Sequence, residues 1–261
     1  MTVSEADTAA GWLHDQHTSR CRFAGVEPWP AGVDEAYAYA VQDGLMRRRR
    51  DGGAKIAGYK IGLTTPIMQK LCHGDRPISG VMPACGVRPA PALVRTREFV
   101  RLGIESELAV RIARPIPPSP AAITRADVAA VVTEIAAAFE LIEDRCADYE
   151  TLDWLWMAAD NSWHAGLVLG RSVGVCDISD LAGTLSIDGK VDSNGSTRDV
   201  LGHPFDAVAW LANHLRARGS ELASGQWIST GSIVPIRHAR PGQRYSFSIA
   251  GLPPVELHVA T

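Results

Sequence analysis

Apolar residues recur at helical spacing between about Glu5 and Arg20, and again from Val33 to Arg50 at Ala36, Ala40, Val41 and Leu45, until Gly52-Gly53 stops the run. The spacing predicts a helical N-terminal segment over residues 1–53. Beyond it the texture changes to short β-type runs broken by Gly and Pro: "KIAGYKIGL", "GVRPAPALV", "IESELAVRIA", "HAGLVLG", "GTLSIDGKV", "GQWISTGSIVPI" and "RYSFSIAG". Two helices are predicted among these strands. One runs from about Thr124 to Ala138 and starts at Thr124-Arg125-Ala126-Asp127, a threonine three residues before an acid, which satisfies free N–H groups at a helix start. The other runs from about Pro204 to Arg218 and stops at Gly219. The Asp188-Gly189 pair predicts a tight hairpin whose flanks pair antiparallel. Strands do not alternate regularly with helices, so the pattern predicts an α+β fold with mixed or antiparallel sheets.

Composition narrows the partners. A formal net charge of −3, from 26 basic and 29 acidic residues, gives no electrostatic reason for a nucleic-acid or anionic-membrane partner. The basic run Arg47–Arg50 reads as the solvated end of a helix or an oligomer contact. No apolar stretch approaches the roughly 20 residues that span a bilayer, and "MTVSEADTAAG" lacks a signal pattern, so a cytoplasmic location is expected. Five cysteines, scattered and without a CxxC pair, predict reduced thiols and no thiolate zinc site. No glycine-rich phosphate loop follows a strand, which leaves a nucleotide cofactor without support.

The acidic residues carry more information. In "LGIESELAVRIA", period-2 geometry puts the carboxylates of Glu105 and Glu107 on one face, beside the small Gly103 and Ala109. Buried together, they need a cation, and a hard divalent ion suits carboxylate oxygens. A solvated face with Ile104, Leu108 and Val110 turned inward fits the same spacing. Glu140 stands between Phe139 and Leu141 in the most apolar part of "AAAFELIEDRCADYE", where a metal or a cation such as Arg145 would compensate it. In "ADNSWHAGLVLG", turn chemistry explains much of Asp160-Asn161-Ser162 without function, and His164 reads as a packed histidine ahead of a ligand or base. The hydroxyl-rich "WISTGSIV" fits a binding loop or a plain hairpin. Lys60, between Tyr59 and Ile61, is left undecided between a solvent face and an inward cation.

Taken in order, "DEAYAYAVQ", "GYKIGLTTPIMQ", "DRPISGVM", "IESELAV", "FELIEDR", "ADNSWHAGLVLG" and "WLANHLRARGSELASGQWISTGS" resemble the 2-keto-4-pentenoate hydratase / 4-oxalocrotonate decarboxylase group of the fumarylacetoacetate hydrolase-like superfamily. The resemblance runs from about residue 34 to the C-terminus. It implies a fumarylacetoacetate hydrolase-like mixed-sheet catalytic domain over residues 54–261. It also implies Mg²⁺ or Mn²⁺ held by Glu105, Glu107 and Glu140, catalytic roles for Lys60 and Asp75, and substrate contacts from Leu63, Asn161, Ser162, His164 and Thr230. The implied reaction belongs to aromatic meta-cleavage catabolism: the 2-hydroxydienoate chelates the metal, ketonises by protonation at C5 and takes up water at C4. A homo-oligomer is implied, with association to another enzyme of that pathway.

The chain departs from the group's pattern in two places. "PACGVRPAP" follows "DRPISGVM" where relatives continue with an acidic stretch, and "NSWH" replaces the small residues that commonly follow the group's Asn, so Trp163 and His164 are expected to reshape the substrate's distal pocket. A 4-oxalocrotonate decarboxylase, or a hydratase of a longer or dicarboxylic dienoate, is the rival within the class; His164, Arg76 and Arg88 are the candidates for the cation a second carboxylate requires. A catalytically silent assembly subunit is the rival of another class, against which the three acids speak.

Overall fold

The computed structural model describes residues 3–50, 55–117 and 120–261. Two helices open the chain, α1 (Val3–Thr18) and α2 (Glu35–Arg50). Then come β1 (Ile56–Gly62), α3 (Pro66–Leu71), β2 (Ile78–Pro83), β3 (Val87–Pro89), β4 (Ala92–Arg95), β5 (Leu102–Ile112) and α4 (Arg125–Ala129). The middle of the chain supplies β6 (Val132–Glu143), α5 (Trp154–Ala159), β7 (His164–Leu169), β8 (Val173–Gly174), β9 (Ala182–Ile187) and β10 (Lys190–Ser196). The chain finishes with α6 (Pro204–Ala217), β11 (Trp227–His238), β12 (Arg244–Ile249) and β13 (Val255–Ala260).

The architecture is α+β, as the irregular order of strands and helices predicts. An eight-stranded mixed sheet runs β2-β1-β11-β5-β6-β7-β3, with β8 attached to β6, and a five-stranded sheet runs β10-β9-β12-β13-β4. Their facing sides share one core, in which Phe139 from the large sheet meets Tyr245 and Phe247 from the small one. A second core joins α1 and α2 to the other side of the large sheet through Leu13, Val41, Leu45, Ile78 and Trp163. The N-terminal helices are therefore built into the body of the large sheet: Gln42 Nε2 donates to the Ser79 and Ala158 carbonyls, 2.8 and 2.7 Å away. The predicted boundary at residues 53 and 54 lies outside the described residues.

One predicted element is corrected. Thr124 caps a helix as expected, with a reciprocal pair of bonds to Asp127, but the helix ends at Ala129 and Val132–Glu143 is a strand. Ala136-Ala137-Ala138 favour helix in isolation. Here they sit fully buried on a central strand between β5 and β7, where small side chains let both layers approach, and tertiary packing outweighs propensity. The other expectations match closely. The Asp188-Gly189 turn joins the antiparallel pair β9–β10, and α6 runs to Ala217 with Gly219 in the left-handed region just beyond.

Candidate metal and substrate site

Two adjacent strands at the centre of the large sheet, β5 and β6, carry the three acids. Register places Glu105 directly opposite Glu140 across β5 and β6, while Glu107 lies two residues along β5 on the same face. All three offer a carboxylate oxygen within 4.8 Å of the others. Glu107 and Glu140 are fully buried, and Glu105 keeps part of its surface open. The solvated-face reading of the Glu105/Glu107 pair is thereby excluded.

Each carboxylate is held from behind. Glu107 Oε2 accepts from Ser229 Oγ at 2.5 Å and from the Gly231 N–H at 2.9 Å. Gly231 has a φ of +123°, and a Cβ there would stand 2.4 Å from Thr64 Oγ1, so glycine alone presents this donor without strain. Glu140 Oε1 pairs with His164 Nδ1 at 2.8 Å, while its Oε2 has Lys60 Nζ at 3.4 Å. Lys60 is 2 % exposed on β1 and donates to Ser162 Oγ at 3.0 Å, which settles it as an inward cation. Ser162 comes from Asn161-Ser162-Trp163, three consecutive residues with φ between 51° and 55°, a backbone that L-residues adopt at a cost and that the Asn161 side chain ties to Val81 N and O.

Charge in the cluster is out of balance without an added cation. Burial pushes all three acids up: Glu107 well above the ordinary carboxylate value, with Glu140 and Glu105 adding repulsion, and Glu140 to about 8 against the pull of Lys60. Burial alone would lower Lys60, but Glu140, Glu105 and Glu107 outweigh it and hold the ammonium above the usual lysine range. Burial, with Lys60 and Arg49 nearby, drops His164 to about 3, so its ring is neutral and its Nδ1–H serves a carboxylate. Among the described residues no hydrogen bond within ordinary geometry reaches the buried Glu107 Oε1 or Glu140 Oε2, the latter having only the Lys60 ion pair at 3.4 Å. One lysine facing three acids, with two such oxygens, fits a hard divalent ion bound through oxygen.

The cavity over this cluster, of about 70 Å³, is lined by Lys60, Leu63, Ser162, Trp163 and Glu105, and also by Thr64, Thr65, Tyr149 and Ser232. Of the residues expected to contact substrate, Leu63 and Ser162 line this cavity. Asn161 instead braces β2, and His164 faces Glu140. Thr230 donates to the Leu108 carbonyl, and its neighbour Ser229 is the residue that reaches Glu107. Asp75 is on the surface, bonded to Arg76 Nε at 2.7 Å, and does not line the cavity. Sequence reading missed Ser229, Tyr149, Ser232 and Met157; the "STGS" run signalled the first and third, whereas Tyr149 and Met157 arrive through loop and helix geometry that no local pattern marks.

A buried charged knot supports the strained segment. Asp160, next to Asn161, accepts from Arg145 Nη2 at 2.7 Å and meets His17 Nε2 at 2.5 Å, which pins α1 to the site. Burial would raise Asp160, but His17, Arg145 and Arg49 outweigh it and hold the carboxyl at about 2. Burial also lowers His17 below its usual value, so at neutral pH we take His17 as a neutral donor and Arg145 as the countercharge.

A profile of the fumarylacetoacetate hydrolase C-terminal family matches residues 74–260. The 2-keto-4-pentenoate hydratase of Burkholderia vietnamiensis is 31% identical over 246 residues, covering 93% of each chain. A 4-oxalocrotonate decarboxylase of Pseudomonas putida is 30% identical over 220 residues, covering 83% of this chain and 82% of its own. Among solved structures, 4-oxalocrotonate decarboxylase from Pseudomonas putida G7, complexed with magnesium and adipate, superposes with a TM-score of 0.92 at 26% identity, covering 99% of this chain and 98% of its own.

Proposed function

This chain belongs to the fumarylacetoacetate hydrolase family, and from that premise we propose that it is a divalent-metal-dependent hydratase, a hydro-lyase that adds water to 2-hydroxypenta-2,4-dienoate (2-keto-4-pentenoate) to give 4-hydroxy-2-oxopentanoate. The observation that carries the reading is the trio Glu105, Glu107 and Glu140, with two buried carboxylate oxygens lacking a hydrogen bond among the described residues and one inward lysine beside them.

Glu105, Glu107 and Glu140 would hold Mg²⁺ or Mn²⁺, which when bound would supply Lewis-acid polarisation of the 2-hydroxydienoate. Lys60 Nζ, kept protonated by the acids around it, donates toward the oxygen that gains charge as the dienol becomes a dienolate. Ser162 Oγ fixes the ammonium, and the strained Asn161–Trp163 turn fixes Ser162. Leu63, Trp163 and Ile142 line the cavity and keep bulk water from the conjugated chain, so that protonation at C5 and water addition at C4 proceed in a confined space. His164 and Ser229 orient Glu140 and Glu107 from behind.

Incubation with the dienoate and Mg²⁺ or Mn²⁺, following dienoate absorbance, product and CO₂, tests the assignment. Hydration without CO₂ release is expected; CO₂ release from 4-oxalocrotonate without hydration of the dienoate overturns it in favour of the decarboxylase, the reading that the similarity to the Pseudomonas putida enzyme supports. The intact cluster speaks against a silent assembly subunit. The reading carries with it a cytoplasmic homo-oligomer that associates with another enzyme of the meta-cleavage pathway; Ile67 and Leu71, exposed on α3, offer apolar surface for such contacts.

A further inference from the structure

A second cavity, of about 280 Å³, shares no lining residue with the one over the acids. Four guanidiniums line it: Arg20 after α1, Arg49 near the end of α2, Arg88 on β3 and Arg145 after β6. Arg88, a candidate partner for a second substrate carboxylate, therefore belongs to this cavity and not to the one beside Lys60.

Little on the protein compensates these charges. Glu143, in the lining, accepts from the backbone N–H groups of Val100, Arg101 and Arg145 at 2.8, 3.0 and 3.1 Å, and so is held by neutral donors. Glu98, also in the lining, stands 3.8 Å from Arg88, beyond hydrogen-bond reach. Arg20 donates to the uncharged Arg97 carbonyl at 2.7 Å. Asp160 takes up Arg145 Nη2, yet Arg145 is 1 % exposed and no hydrogen bond among the described residues reaches its buried Nε or Nη1. Arg49 has no hydrogen bond and no ion pair within 4 Å among the described residues. Burial lowers it below the usual arginine range, and Asp160 offsets this while Arg145 adds repulsion.

Buried N–H donors without acceptors are costly, and a buried guanidinium more so. The group that would relieve this cluster must carry negative charge and offer several acceptor oxygens to planar N–H forks, which is the chemistry of a phosphate or a carboxylate. We infer that this cavity binds a small oxyanion through Arg49, Arg88 and Arg145, at a site separate from the metal centre. Such an anion joins α2, β3 and the end of β6. The cavity also backs onto the metal centre, because His164 lines it and holds Glu140 through Nδ1. Anion binding here does not depend on which reaction the three acids support.

Calorimetric titration of the protein with inorganic phosphate and with succinate, at an ionic strength held constant with sodium chloride, tests the site. Divalent ions are removed first, since a metal at the acids would itself capture either probe. At least one probe should bind with a Kd at or below about 1 mM. Phosphate alone identifies a phosphate-bearing ligand, succinate alone a carboxylate. Arg49→Gln and Arg88→Gln should each weaken the binding at least about 10-fold and still unfold cooperatively, because neither removes the partner of a buried acid. Glu107→Gln, in the acid cluster, should bind the anion as the wild type does. No binding of either probe overturns the inference. So does binding that both arginine variants leave unchanged; tighter binding in Glu107→Gln would then put the anion beside Lys60.

Discussion

Glu105 and Glu140 stand as directly opposed residues on neighbouring antiparallel strands, with a carboxylate oxygen of each, and one of Glu107, within 4.8 Å of the others. Like charges opposite one another weaken a strand pair, and burial magnifies the effect. Lys60 stands against the arrangement, and on the proposed reading a divalent ion would complete the neutralisation.

Glu105→Gln therefore should leave the metal-free protein as stable as wild type or slightly more so, since one of two facing charges is gone. It should also lose the thermal shift that Mg²⁺ or Mn²⁺ gives the wild type, which is about 2.7 kcal/mol at a hundredfold excess over Kd. Calorimetry with and without a chelator checks both halves; a preserved metal shift would remove Glu105 from the ligand set. Glu107→Gln should fold, fail to retain metal and lack activity.

Removing the cation acts in the opposite direction. Lys60→Met leaves Glu140 buried beside two other acids with no counterion, so the metal-free protein should lose about 3–5 kcal/mol. Divalent ion should recover part of that loss, yet kcat should remain at least about 100-fold down because the donor to the substrate oxygen is missing. Urea melts and steady-state rates at saturating metal separate the two effects.

His164→Ala deprives Glu140 Oε1 of its donor, and metal affinity should fall about 10- to 100-fold, while His164→Asn, which keeps a donor N–H, should recover part of it. Titration with Mn²⁺ reads this directly. Equal affinities in all three proteins would show that the ring packs without orienting the carboxylate.

Gly231→Ala forces a Cβ against Thr64 at a φ of +123° and should cost about 1–3 kcal/mol. Activity should fall with stability, because the same shift pulls the 231 N–H away from Glu107. An alanine variant as stable and active as wild type would show that the segment relaxes freely.

Asp160 sets an acid limit. Its carboxyl is held at about 2 in the fold against an ordinary 3.8, so the unfolded chain takes up the proton first and the stabilisation is fully present above about pH 4. It is lost as pH falls toward 2 and amounts to about 2 kcal/mol. Asp160→Asn should be less stable at pH 7 and show a flatter decline of the urea midpoint between pH 4 and 2; parallel declines would place the titrating group elsewhere.

Much of this was legible in the chain. Glycine and proline punctuation located most strands, Asp188-Gly189 located a hairpin, and period-2 spacing put Glu105 and Glu107 on one face, because all of these depend on residues near in sequence. The motif resemblance supplied the third acid and the lysine. Thr230, a substrate contact implied by the resemblance, donates to the Leu108 carbonyl, and its neighbour Ser229 reaches Glu107. Asp75, in a recognisable segment, ended on the surface beside Arg76 because the turn after α3 carries it away from the cavity.

Only the tertiary structure decided the rest. Whether Ala136–Ala138 are helix or strand depends on β5 and β7 closing over them, which no local propensity encodes. Whether Glu105 faces water or metal depends on which strand lies opposite, and register delivers Glu140 there from 35 residues away. By itself the sequence determined the chemical groups and their local faces; long-range pairing determined which charges meet, because a buried charge takes its role from the group the fold sets against it.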